Sequence, residues 1–206
     1  MQRFINPGSR LPAKFELKIE FMYRSYSELA ARIRVPSGFL LGATFIIFAR
    51  PTPKSLLWGS VISLMGVLLR AAGAGHLAKN QKLATGGPYR YFRHPLYLGS
   101  AFAGFGFCLA GGRWWFFLLL IFFFGAVYWP VIRREEAHLR KLFPEEFQGY
   151  AGSMPLLAAR RGANPAVQPT RFSWRLYWKN HEYEALLGYL AIVLVLFGKM
   201  VLRMRS

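Results

Sequence analysis

The chain has 206 residues, of which 54% are hydrophobic and 17% aromatic, while only 17% are charged. A soluble domain wets its surface by charging about a quarter of its residues, so this composition excludes a disordered chain and argues against a soluble globule. The 27 Lys and Arg stand against nine acids, all of them Glu, for a formal net charge of +18. Such an excess can serve a nucleic-acid partner. Here, however, the apolar residues fall in long runs separated by basic loops, which is how a membrane protein distributes charge, and no nucleic-acid partner is expected.

Met1 to Arg10 hold two Arg and no apolar stretch, so no cleavable signal peptide is expected. Phe15, Ile19, Met22, Tyr26, Leu29 and Ile33 then recur at steps of four and three, with Lys14, Lys18, Arg24 and Arg32 falling elsewhere. The spacing predicts an amphipathic helix in the membrane interface; a coiled-coil seam is the alternative, and fewer than three heptads disfavour it. Val35 to Ala49 is a short apolar span of 15 residues, and the Arg50-Pro51-Thr52-Pro53-Lys54 break turns it into a hairpin with the span from Leu56 to Gly75. Arg70, near the end of that second span, reads as a side chain snorkelling to the headgroups. Leu96 to Gly112 is a third span, rich in Gly, Ala and Ser, which suits close helix packing.

Trp114 to Ile132 has 19 residues without a charge, enough to cross a hydrocarbon layer of ~30 Å at ~1.5 Å per residue. Arg133 to Phe143 continues it as a helix into the cytosol. Met154 to Thr170, with three Pro, reads as a loop over the cytoplasmic face. The last span runs over 184–202, with Lys199 near its end. The expected fold is thus an all-α integral membrane protein of about five transmembrane helices, divided into an interfacial segment 1–34 and a transmembrane domain 35–206. Residues 1–34, 70–93 and 133–183 carry 21 of the Lys and Arg and the other connections six, which places the former in the cytoplasm. Cys108 is the lone cysteine, so neither an intrachain disulfide nor a Cys-based metal site is available, and no metal is expected. His76 and His138 read as solvated or locally bonded.

Two constellations carry chemistry. The string LATGGPYRYFRHPLYLG, residues 83–99, joins a Gly-Pro turn to a cluster of bases and aromatics and then to a Pro suited to a first helical turn. Arg93 and His94 at a helix N-terminus make an anion site at the membrane surface, against the simpler reading of Arg90 and Arg93 as anchors. Glu135-Glu136, in the string EEAHLRKLF, can hold an ammonium or sulfonium group that the surrounding bases repel. The simpler reading is an ion pair of Glu136 with Arg140 at i, i+4. Trp174-Arg175 and Trp178 to Glu184 form a third boundary cluster, either interfacial anchors or, through Arg175, Asn180 and Glu182, part of a polar pocket.

The two strings in this order, with an apolar span between them, resemble the isoprenylcysteine carboxyl methyltransferase and phospholipid methyltransferase group of integral membrane enzymes. The resemblance runs from about Leu83 to Pro155 through Phe147 and Tyr150. It departs where Pro144 stands for Gly, Phe147 for Tyr and Met154 for Val. It implies transfer of a methyl group from S-adenosylmethionine, leaving S-adenosylhomocysteine, to a lipophilic or lipid-modified acceptor at the cytoplasmic side of the inner membrane. Carried onto this chain, it implies a cytoplasmic cofactor pocket lined by Leu83, Tyr89, Arg93, His94, Pro95, Tyr97 and Leu98, with Glu135 or Glu136 on the ammonium. Arg133, Arg134 and Arg93 are candidates for orienting the acceptor, with Arg133, Glu135 and Glu136 the catalytic set. Tyr150, Arg175, Asn180 and Glu182 complete the acceptor side. The Arg-His-Pro string also resembles NADPH-dependent sterol reductases, and a non-catalytic lipid-binding bundle is a further alternative.

Overall fold

The computed structural model describes residues 13–156, 162 and 170–205, and all regular structure among them is helical. In chain order the helices are α1 (Ala13–Phe48), α2 (Pro53–Ala74), α3 (Pro95–Ala110), α4 (Trp115–Phe123), α5 (Trp129–Leu142), α6 (Pro144–Ser153), α7 (Trp174–Lys179) and α8 (Tyr183–Arg205). A short 3-10 turn, Gly87–Arg90, precedes α3, and a π turn, Phe124–Tyr128, joins α4 to α5 without breaking the helix axis into separate elements.

Three helical stretches are long and apolar enough to cross a membrane: Pro53–Ala74, Trp115–Leu142 and Tyr183–Arg205. The other two expected spans are shorter apolar helices, Pro36–Phe48 and Pro95–Ala110. The 16 residues of α3 reach about 24 Å, short of a ~30 Å layer. Its length is set by Pro95 at one end and the Gly111-Gly112 turn at the other. Pro36–Phe48 is the apolar end of the single 36-residue helix α1, which passes through Pro36 without a break. Of the amphipathic pattern, Phe15, Ile19 and Met22 lie outside the described side chains, whereas Tyr26, Leu29 and Ile33 are exposed. Tyr26 donates to the Ala126 carbonyl in the π turn at 2.6 Å and so fixes α1 against the α4–α5 helix.

The hairpin break at 50–54 is built by Thr52, whose side chain accepts from Ser55 N while Ser55 Oγ accepts from Thr52 N, with Pro53 opening the helix. This box satisfies two amides that would otherwise be orphaned at the start of α2. α2 then packs on α3 through the small residues of both. A Cβ on Gly106 would fall 2.3 Å from Ser63 N, and one on Gly66 would fall 2.4 Å from Ala103 N. Ser63, fully buried, donates to the Ala103 carbonyl at 2.8 Å across this seam. The obstructing atoms are backbone, which cannot swing aside. Gly106→Ala is therefore expected to force the helices apart and destabilise the fold by about 1–3 kcal/mol, read as a lowered melting temperature in detergent. A melting temperature unchanged by Gly106→Ala would contradict this contact.

Beyond the membrane segments, α6 folds back so that Phe147, Tyr150 and Met154 pack on Leu83 in a small buried core. Thr170 lies against Gly86, and its carbonyl is 3.2 Å from His76 Nε2. Residues 157–161 and 163–169 of the expected loop lie outside the described ones.

Candidate active site

Pro95 starts α3 at its first position, and this places His94 at the helix cap and Arg93 just before it. The α4–α5 helix brings Glu135 and Glu136 to the same end of the bundle. Arg93 Nη1 donates to Glu136 Oε1 at 2.8 Å, His94 Nε2 lies 3.3 Å from the same oxygen, and Arg133 Nη1 is 3.5 Å from Glu136 Oε2. Arg93 Nη2 also donates to the carbonyls of Ala151 and Met154, which ties α6 to the corner. Glu136 is buried at 4% exposure, so its charge is compensated by the three bases around it rather than by water.

Glu135, the next residue in sequence, is turned the other way. It accepts from Tyr97 OH at 2.6 Å and lines two adjoining cavities. The larger, of about 450 Å³, is bounded by Tyr89, His94, Pro95, Tyr97, Tyr128 and Glu135, and on its far wall by Arg70, Asn180 and Glu182. Its volume falls within the ~300–1,000 Å³ usual for small-molecule sites. The smaller, of about 180 Å³, is shared by Lys79, Lys82, Leu83, Arg93, His138 and Tyr150. Arg93 Nε is buried without a hydrogen-bond partner among the described residues.

The aromatic groups are held neutral. Burial raises the Tyr89 phenol well above its ordinary value, helped by the charge of Glu135, and burial raises Tyr150 likewise. Tyr150 uses its proton to donate to the Tyr89 carbonyl at 2.8 Å, which sets the 3-10 turn. Tyr97 stands edge-on to Tyr128, their centroids 5.7 Å apart, and 5.9 Å from the His94 ring, forming a continuous aromatic wall.

Tyr97 borders a third space as well. Together with Leu98, Ala101, Phe124, Trp129 and Ile132 it lines a groove of about 280 Å³ that has no polar surface. The π turn shapes this groove, since it supplies Phe124 and Gly125 to it while Tyr128 faces the polar cavity. Arg133 lies over the Trp129 ring at 5.8 Å.

Most of the residues singled out in the sequence meet here. Leu83, Tyr89, Arg93, His94, Pro95, Tyr97, Glu135, Tyr150, Asn180 and Glu182 line one or both polar cavities, and Glu136 sits behind them. Leu98 borders the apolar groove and not the polar cavities. Tyr150, expected on the acceptor side, borders the smaller cavity with Leu83 and Arg93. Arg134 and Arg175 are exposed and line none of these spaces. Glu136 pairs with Arg93 and not with Arg140, which lies over the Phe147 ring. His76 Nδ1 is 2.8 Å from the Ala72 carbonyl, a local contact, whereas His138 Nε2 is 3.1 Å from Asn80 Oδ1, a contact across 58 residues.

Arg70 is the site residue that sequence reasoning missed. It pairs with buried Glu182, donates to Ser100 Oγ, and lines the larger cavity instead of snorkelling to headgroups. The available signal was a charge inside an apolar span, which needs a partner. Asn180 braces the same wall by donating to the carbonyls of Ala74 and Leu77, each at 2.9 Å.

Both halves of this geometry, the Arg93–His94 corner and the Glu135–Glu136 pair, lie within one recognisable segment. Residues 54–146 match the phospholipid methyltransferase family model. The resemblance read from the two strings is thereby borne out over this segment, and with the three membrane-length helices it points to a membrane methyltransferase. The match takes in α2 to α5 and stops short of Asn180 and Glu182. No curated protein and no solved structure matches the chain.

Proposed function

We propose that the protein is an S-adenosylmethionine-dependent methyltransferase of the inner membrane, acting at its cytoplasmic face on a lipophilic acceptor, either an isoprenylcysteine-like carboxylate or a lipid. The observation that carries this reading is Glu135, a carboxylate presented to a 450 Å³ cavity with aromatic walls within the matched segment. A zwitterionic sulfonium needs a carboxylate for its ammonium, bases for its own carboxylate and aromatic faces for its ring and positive sulfur. Glu135 supplies the first. Lys79, Lys82 and the unpartnered Arg93 Nε supply the second, and Tyr89, His94 and Tyr97 the third. Glu136 is already saturated by bases, and its part is to position Arg93 and His94.

When bound, the donor supplies a methyl carbon activated by positive sulfur, so the protein's work is alignment and exclusion of water. Tyr97 borders both the polar cavity and the apolar groove, which makes it the place where the two sides of the reaction adjoin. The groove suits the hydrocarbon part of an acceptor arriving sideways from the bilayer. Of the three candidate arginines, Arg133 is best placed for an anionic acceptor head, since it stands over Trp129 at the groove's edge. Arg70, Asn180 and Glu182 form a polar wall opposite.

Titrating the detergent-solubilised protein with S-adenosylhomocysteine and, separately, with NADPH tests the reading, because a ligand that binds only the folded state raises its melting temperature. S-adenosylhomocysteine is expected to bind and NADPH to have no effect. A response to NADPH with none to S-adenosylhomocysteine would instead favour a reductase.

A further inference from the structure

At the opposite end of the bundle lies a space that the methyl-transfer reading does not use. It measures about 700 Å³ and is lined by Arg50, Arg113, Lys199 and Arg203 together with apolar residues that include Phe48, Trp115 and Leu202. Three separate elements bring these bases together. The turn carrying Arg50 is docked on the turn carrying Arg113, through Arg50 N donating to Gly111 O at 2.8 Å. Gly112, at φ +65°, makes the approach possible, for a Cβ there would fall 2.5 Å from Arg50 O. Lys199 and Arg203 are one turn apart on α8, and Lys199 donates to the Ile46 and Ile47 carbonyls at the end of α1.

Lys199 thus has a structural task, satisfying carbonyls at the negative end of a helix dipole. Arg50 and Arg113 have none of that kind, and neither has an acidic partner among the described residues. The sequence holds no acidic side chain between Glu28 and Glu135 and none after Glu184, so basic side chains predominate at this end of the bundle. Bases gathered around a concave space with low-dielectric walls focus a positive potential into it.

We propose that this cavity binds an anionic phospholipid, its phosphate held by Arg50, Arg113 and Arg203 and its acyl chains lying along Phe48 and Leu202. Arginine forks fit phosphate oxygens in pairs. The apolar part of the lining decides between a lipid and a soluble anion: Phe48 is 54% and Leu202 70% exposed, the first at the end of an apolar helical stretch and the second on a helix long and apolar enough to cross a membrane. Trp115 stands where an interfacial belt residue would. The site lies at the other end of the bundle from the Glu135 cavity, so its occupant is a bound lipid and not the methyl acceptor.

Native mass spectrometry of delipidated protein, offered dioleoyl phosphatidylglycerol or dioleoyl phosphatidylcholine, tests this. The wild type is expected to retain one phosphatidylglycerol most tightly, and R50Q/R113Q to hold it about tenfold more weakly for each arginine removed. R50K/R113K is expected to fall between the two, keeping charge and losing the fork. Millimolar inorganic phosphate is expected to leave the melting temperature unchanged where phosphatidylglycerol raises it. Undiminished retention by R50Q/R113Q, or equal retention of phosphatidylcholine by the wild type, overturns the proposal. A melting shift reproduced by inorganic phosphate overturns it in favour of a free anion. If R50Q/R113Q melts lower even in phosphatidylcholine micelles, Arg203→Gln, at an exposed position, carries the same comparison with the same expected loss and the same overturning result.

Discussion

Glu135→Gln is expected to weaken S-adenosylhomocysteine binding by roughly 30- to 150-fold while leaving the melting temperature of the unliganded protein unchanged. The size follows from removing a charged hydrogen bond to an ammonium in a partly enclosed cavity, about 2–3 kcal/mol. The unchanged stability follows from the local geometry. Tyr97 OH donates to Glu135 Oε2 at 2.6 Å, and the glutamine carbonyl accepts the same proton. Calorimetric titration beside a thermal melt reads both quantities. Equal affinity in the wild type and Glu135→Gln would remove Glu135 from the donor site. A fall in both affinity and melting temperature would make it a structural residue.

The neighbouring position should behave in the opposite way. Glu136→Ala leaves the Arg93 guanidinium buried without its carboxylate, and breaking a buried pair from one side costs about 3–5 kcal/mol. The loss should spread, because the same guanidinium holds the Ala151 and Met154 carbonyls and so keeps α6 on its core of Leu83, Phe147, Tyr150 and Met154. Thermal melts should show the destabilisation, and limited proteolysis should find Pro144–Ser153 cut sooner than in the wild type. The double variant Arg93→Met, Glu136→Leu strands neither charge but gives up the donors to the Ala151 and Met154 carbonyls, so Pro144–Ser153 should stay more readily cut than in the wild type. A Glu136→Ala protein that melts normally and fails only to bind S-adenosylhomocysteine would reverse the assignment of the two glutamates.

That pair shows where sequence reasoning reaches its limit. Two adjacent residues on a helix point about 100° apart, so the string EEAHLRKLF says that one glutamate can face a site and the other a neighbour, without saying which. The answer depends on where Arg93 arrives from α3, a contact made 43 residues away. Arg70 and Glu182 meet across 112 residues, and no local pattern joins them. The π turn was equally hidden. FFFGAVY is uniformly apolar, and nothing in it marks the extra residue that turns Tyr128 to the polar cavity and opens the groove beside Trp129.

What the sequence did carry was what is decided locally. The Thr52-Pro53 break, the Pro95 helix start and the small residues of α3 each act within a few residues or through their size alone. All three appear in the structure as the hairpin, the Arg93–His94 corner and the α2–α3 seam. Runs of apolar residues located the spans, and the two shortest runs, 35–49 and 96–112, correspond to the two helical stretches that fall short of membrane length. The Arg93–His94 corner and Glu135 were legible together only because a family resemblance joined two strings some forty positions apart.

We propose that the cavity between α3 and α5 holds the methyl donor, with Glu135 as its charged contact. A crystal or cryo-electron microscopy structure of the protein with S-adenosylhomocysteine tests it most directly. Density is expected within the walls of Tyr89, His94 and Tyr97, with the amino group against Glu135 and with Glu136 still paired to Arg93. Density elsewhere in the bundle, or an amino group bound to Glu136 with the Arg93 pair broken, would contradict it.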